Sequence, residues 1–192
     1  MESYVEKAGL GDILQKIQNN ERLSREDGIR LYQSPHLLAV GYLANIVRER
    51  INGDNAYFIY NQHINYSNIC TNLCKFCAVG KPKDSDKAYE MTREDVAHKV
   101  RERIEEPISE IHMVGGIHPD LPFSYYTDLL QEIKLIRPGI HIQAFTCVEI
   151  DHLAKLAGKP VDQTLEILMA AGLDSIPGGG AEVFSPRIRK LT

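Results

Sequence analysis

Apolar residues recur at helical spacing through the first 55 residues, and from residue 56 the chain alternates between strand-like and helical patterns. Ser24 with Asp27 three residues on is the pattern of a capping box at the start of a short helix. Ser34–Pro35 opens a longer helix, HLLAVGYLANIVRERI, which Asn52–Gly53 ends. Its apolar positions Leu37, Val40, Leu43, Ala44 and Val47 fall on one stripe, which predicts a helix that covers an apolar face. AYFIYNQHINYS, rich in aromatic and β-branched residues, reads as the first strand. Thr92 and Asp95 cap a helix to about Glu106, and EIHMVGG is a short buried strand ending at two glycines. A helix from about Ser124 to Arg137 is closed by Pro138–Gly139, and IHIQAFT is the third strand. Helical stretches at 149–157 and 161–171 lead to Gly172, and DSIPGGG reads as a fourth strand with its exit loop.

Such alternation predicts an α/β fold, a parallel sheet with crossover helices, preceded by a helical segment. The expected division is 1–55 helical and 56–192 β/α. A closed (β/α)8 barrel takes about 250 residues, so four strands make about the first half of a barrel, truncated from a longer protein. A complete small open α/β sheet is the rival. Half a barrel has open edges and half a rim, so this chain alone is expected to be a poor catalyst.

Charge and hydropathy narrow the partners. A formal charge of -4 with 25% charged residues argues against a nucleic-acid or anionic-membrane partner, both of which want a basic face. The basic stretches Arg48 to Arg50 and Lys99 to Arg103 alternate with glutamates, as a solvated helix face does. No run approaches the roughly 18 apolar residues of a membrane helix, and the acidic start is unlike a signal peptide. The expected location is the cytoplasm, where four thiols are metal ligands or catalytic groups before they are a disulfide framework.

Three of those thiols stand together in NICTNLCKFCAVGK as Cys70, Cys74 and Cys77, spaced C-x3-C-x2-C. Thiolates are soft ligands that select iron–sulfur clusters, zinc or copper(I). Zinc in a structural site wants four protein ligands, and would recruit Cys147 or a histidine such as His63 to make a non-redox binding module. On a [4Fe–4S] cluster three cysteines leave one iron open to a ligand.

This C-x3-C-x2-C motif just after the first strand resembles the signature of the radical S-adenosylmethionine (SAM) superfamily. The resemblance implies a TIM-type barrel with a [4Fe–4S] cluster on Cys70, Cys74 and Cys77 and SAM chelated at the open iron. It places Phe76 near the adenine, and Gly115 and Gly116, in VGGIHPDLP, where backbone meets the methionine amino group. Reduction of SAM then yields a 5′-deoxyadenosyl radical, which implies a one-electron donor such as flavodoxin or ferredoxin and a small-molecule substrate. HINYSNIC, EIHMVGGIHPDLPFSYYTDLL, HIQAFTCVEI and AGLDSIPGGGAEVF resemble one branch, the futalosine-pathway enzymes of menaquinone biosynthesis and their deazaflavin-cofactor relatives. Within it His63, Ile111–His112, AFT-x-VEI and Phe184 are similar to the aminofutalosine synthases more than to the sister cyclases, which act on dehypoxanthine futalosine. That implies addition of the adenosyl radical to the enol ether of 3-[(1-carboxyvinyl)oxy]benzoate, giving 6-amino-6-deoxyfutalosine. Gln143 before AFT and Cys147 after it depart from the synthase pattern. A homo-oligomer is compatible with all of this.

Four polar residues remain to be weighed. Glu149, after the third strand, is a candidate for the ribose hydroxyls, against a plain helix-start acid stabilised by the dipole. Glu182, straight after Gly178, Gly179 and Gly180, is a candidate cofactor ligand or catalytic acid/base. His118 is a candidate for a substrate carboxylate, against a cap on the next element. Asn65 is expected to fill a hydrogen-bonded structural role. No G-x4-GK[ST] loop, G-x-G-x2-G fingerprint or G-x-S-x-G elbow competes.

Overall fold

A computed structural model describes residues 1–180 and 183–191. The chain divides into two compact units, Met1–Phe58 and Ile59–Thr192, close to the expected boundary. The first unit is helical, with α1 (Glu2–Lys7), α2 (Gly11–Gln18), α3 (Arg25–Gln33) and α4 (Leu37–Asn52). α3 begins at the expected capping box: Asp27 N–H donates to Ser24 Oγ, and Ser24 N–H to the Asp27 carboxylate. Gly53, at φ 58°, stops α4. The expected stripe on α4 holds at Val40, Leu43 and Val47, which meet the core of this unit, and is corrected at two positions. Leu37 is 78% exposed and Ala44 is exposed, while Ala39 and Leu43 pack with Val5, Leu10, Ile13, Leu14 and Ile17. Leu37 is the first residue of the helix and lies outside that core.

The second unit holds β1 (Asn61–Ile64), α5 (Arg93–Glu102), β2 (Glu110–Met113), α6 (Phe123–Ile136), β3 (His141–Ala144), α7 (Cys147–Ala157), α8 (Val161–Ala171) and the short α9 (Pro186–Arg189). The strands pair in parallel in the order β1-β2-β3, as β/α alternation requires. The long aromatic run before β1 joins the sheet only from Asn61, and Tyr57, Phe58 and Ile59 are exposed. α5 stops at Glu102, short of Glu106, because Arg103 leaves helical geometry at φ -115°. The fourth strand is also corrected. Among the described residues DSIPGGG contributes one parallel bridge, Gln143↔Ser175, next to the bond from Ala144 N–H to Ser175 O. Gly178, at φ 83°, then turns the backbone.

Register separates two kinds of sheet face. Gln62, Ile111 and Ile142 form one row across the strands, and Ile64, Met113 and Ala144 another. These rows meet the helices: the five apolar residues among them lie in one core with Val96, Val100, Leu129, Ile133, Leu153 and Leu168, while the Gln62 carboxamide donates to Lys99 O of α5. The alternate rows, Asn61–Glu110–His141 and His63–His112–Gln143, point the other way because successive strand side chains alternate. Among the described residues no helix is long and apolar enough to cross a membrane.

Candidate functional site

The three cysteines sit on a loop that is closed at its neck. Cys70 N–H donates to Lys81 O and Lys81 N–H to Asn68 O, so Ile69 and Lys81 pair like a short parallel ladder. Thr71 N–H fixes the loop to Ile117 O beyond β2. Inside the neck Leu73 takes φ 43°, and a turn from Cys77 N–H to Cys74 O brings the second and third cysteines together. All three thiols are free, and Gly80 N–H points at Cys77 Sγ at 3.4 Å.

Cys70, Cys74 and Cys77 line one cavity of about 520 Å³. Phe76, 58% exposed, lines it with them, as do Gly115 after β2, Thr146 and Val148 at the start of α7, and Gly179 and Gly180. A neighbouring space of about 230 Å³ shares Cys70, Cys77, Gly115 and Thr146, and adds Gly116, Asn65, Val114 and Glu149. The sheet delivers these groups together because they follow the C-terminal ends of adjacent parallel strands, the end at which such sheets bind ligands.

The two glycines are demanded by the protein itself. A Cβ on Gly115 would stand 2.4 Å from the Tyr66 ring, and one on Gly116 would stand 2.1 Å from Ile69 O. Gly115 N–H donates to Glu149 Oε1 and Gly116 N–H to Ser67 O. Glycine is thus required here by close packing of backbone and ring, a reason the sequence reading did not give.

Glu149 answers to the plain alternative. It is the third residue of α7 and completes a capping box, its Oε2 accepting from Thr146 N–H and Oγ–H. Oε1 accepts from the Tyr66 hydroxyl at 2.7 Å and from Gly115 N–H at 2.9 Å. With the side chain 3% exposed and both oxygens engaged by four donors, it braces the cavity wall and offers no free oxygen to ribose hydroxyls. Burial pushes its carboxyl pKa up, against the pull of those donors. The Tyr66 hydroxyl is held well above its usual range, by burial first and the Glu149 carboxylate second.

His118 is likewise corrected. It is 1% exposed, its Nδ1 accepts from Asp120 and Leu121 N–H, and Nε2 lies 2.8 Å from Glu90. It caps the loop before α6 and lines neither cavity. Glu182 lies outside the described residues. Asn65 departs from its expected structural role, since its Oδ1 is buried without a hydrogen-bond partner. Sequence reasoning missed Tyr66, and it read Thr146 only as part of a motif; a Thr-x-x-Glu capping pattern in TCVE was the available signal.

Zinc would need a fourth ligand. Among the described residues no three His, Cys, Asp or Glu side chains converge on a single-ion site. Cys147 is exposed and lines neither cavity, while His63 lies in the sheet against His112. Three unpaired thiols around an open cavity, a backbone N–H aimed at one sulfur and an orphaned carboxamide oxygen beside them fit a cluster that presents one vertex to a polar ligand.

Residues 64–192 match the radical SAM superfamily, and the chain belongs to that family of enzymes. Membership implies a [4Fe–4S] cluster and SAM. Over 93% of its length the chain is 40% identical to the aminodeoxyfutalosine synthase of Thermus thermophilus, covering 48% of that protein. It is 36% identical over 92% of its length to the cyclic dehypoxanthine futalosine synthase of Halalkalibacterium halodurans, again covering 48%. The crystal structure of HydG, a maturase of the [FeFe]-hydrogenase, shares the fold with a TM-score of 0.61 at 18% identity, over 91% of this chain and 48% of that one. The chain thus spans about half the length of the curated relatives it matches, and its sheet is part of a radical SAM domain.

Proposed function

We propose that this chain is the cluster- and SAM-binding part of an aminodeoxyfutalosine synthase, which joins the adenosyl group of SAM to the enol ether of 3-[(1-carboxyvinyl)oxy]benzoate. The observation that carries this reading is the single cavity shared by Cys70, Cys74, Cys77, Phe76 and Gly115, taken with the 40% identity to a synthase along nearly the whole chain. With both cofactors bound, the cluster supplies an electron and SAM supplies a 5′-deoxyadenosyl radical.

The work of the chain is to bind, orient and exclude water. The three cysteines hold the cluster, and Phe76 offers a ring to the adenine. Gly115 and Gly116 spend both N–H groups inside the protein, so the amino group of SAM has their carbonyl oxygens and Asn65 Oδ1 as acceptors. Glu149 keeps Gly115 and Thr146 in place by holding a hydrogen bond to each. Reductive cleavage of SAM calls for a one-electron donor as partner.

Anaerobic reconstitution of the wild-type chain should give about four irons and four sulfides with a thiolate-to-iron absorption band, and Cys74→Ala should lose all of it. Stoichiometric zinc without sulfide would overturn the cluster. The full-length enzyme fed the enolpyruvyl benzoate should give 6-amino-6-deoxyfutalosine. Release of 5′-deoxyadenosine carrying a substrate hydrogen, with no adenosylated product, would assign the sister cyclase chemistry instead.

A further inference from the structure

The sheet face turned away from the helices carries polar groups that the fold leaves unused. His63, His112 and Gln143 lie in one register row across β1, β2 and β3. The His63 and His112 rings meet edge to face with centroids 4.9 Å apart, and His112 Nδ1 is 2.8 Å from Gln143 Oε1. With that oxygen as acceptor, Nδ1 of His112 bears the proton and Nε2 stays open. Among the described residues the His63 ring nitrogens, His112 Nε2 and the Gln143 amide NH2 have no hydrogen-bond partner.

This row is continuous with the cavity. Asn65 and Val114 follow His63 and His112 by two residues, hence on the same side of the chain, and both line the space that Cys70, Cys77 and Gly115 share. Asn65 brings a further unpartnered carboxamide, its Oδ1 buried. The histidine row therefore lies one strand repeat, about 7 Å, below the layer that meets the cofactors.

We propose that His63, His112 and Gln143 form the wall that holds the ring carboxylate of the aromatic acceptor. The proposal rests on the synthase reading. An imidazole N–H of His63 and the Gln143 carboxamide NH2 are donors suited to a carboxylate, and His112 Nδ1, at 2.8 Å from Gln143 Oε1, holds that carboxamide with its NH2 free. The other titratable groups on this face are Glu110 and His141 in the next row; His141 already bonds Ser175 Oγ, and Glu110 accepts from Asn61. Depth selects which carboxylate is held. The enolpyruvyl carboxylate is bonded to the reacting alkene and stays level with the cofactors, whereas the ring carboxylate lies across the aromatic ring from it, one layer down.

The experiment compares kcat and KM of the full-length reconstituted holoenzyme on 3-[(1-carboxyvinyl)oxy]benzoate and on 2-phenoxyacrylate, which lacks only the ring carboxylate. Removing the carboxylate, or His63 or His112 by alanine, should each cost on the order of 10- to 100-fold in kcat/KM, mainly through KM. Removing both together should cost little more than either alone. His112→Gln should recover part of the loss, with iron content and SAM affinity unchanged throughout. Equal losses on the two substrates, or none on the benzoate, would overturn the wall. If the wild-type enzyme makes no adenosylated product, the synthase reading fails by itself, and the wall is then read by imidazole NMR with benzoate as probe. Shifts at His63 and His112 would keep it as a carboxylate site, and unmoved resonances would end it.

Discussion

Glu149 sets the position of three chain segments with one carboxylate: Tyr66 beyond β1, Gly115 beyond β2 and Thr146 at the start of α7. Replacing it by Gln puts an NH2 group against the donors it now accepts from, and leaves at least one buried donor without a partner. Glu149→Gln is therefore expected to destabilise the protein by about 1–3 kcal/mol, seen as a lower melting temperature, together with weaker SAM binding. An unchanged melting temperature would show that the brace is dispensable. The cysteines and the Gly115–Gly116 pair were legible in the sequence because their spacing is local and their residue types have few other uses. Tyr66, the brace on Glu149 and the histidine row were not, because each depends on strand register between segments far apart in sequence. His118 misled for the opposite reason. A histidine beside Pro119 in a glycine-ended loop looks reactive in sequence, and burial against two backbone N–H groups makes it a cap.

At the level of elements, capping chemistry was the most readable signal. Ser24–Asp27 and Thr92–Asp95 both form the reciprocal boxes their spacing predicts. The α3 box carries a pH dependence. Lys16, hydrogen-bonded to Asp27 at 2.7 Å, is the main cause that holds the Asp27 carboxyl below its ordinary 3.8, with Ser24 N–H next. The carboxylate thus stabilises the folded state fully above that ordinary value, and the contribution is lost as pH falls through the lower folded one. Asp27→Asn should lower the melting temperature at neutral pH and flatten its fall as pH drops below the ordinary carboxylate value of 3.8. A variant with the acid slope of the wild type would refute this. The ends of elements were harder to read. The exposed aromatic run before β1 has strand propensity but no neighbouring strand to pair with among the described residues, and DSIPGGG makes one bridge before Gly178 turns it. Propensity states what a segment tolerates, and pairing decides what it becomes.

The described residues form two apolar cores, one for each unit. Leu43 is buried in the first, so Leu43→Ala is expected to cost about 2–5 kcal/mol there. Hydrogen exchange should report the loss as reduced protection in α1–α4, and unchanged protection in those helices would contradict that packing. In the second unit the spatial order of the strands, β1-β2-β3, is also their order in the chain. Each strand therefore docks on one that the ribosome has already released, β2 pairing from Glu110 back to Asn61 and β3 from His141 back to Glu110. These are non-local parallel pairings, each of which must close a crossover before it is rewarded, but they can be added one strand at a time as the polypeptide emerges. Among the described residues the cavity inherits this schedule: its thiols are synthesised first, Gly115 and Thr146 follow, then Gly179 and Gly180, and Arg189 comes after them.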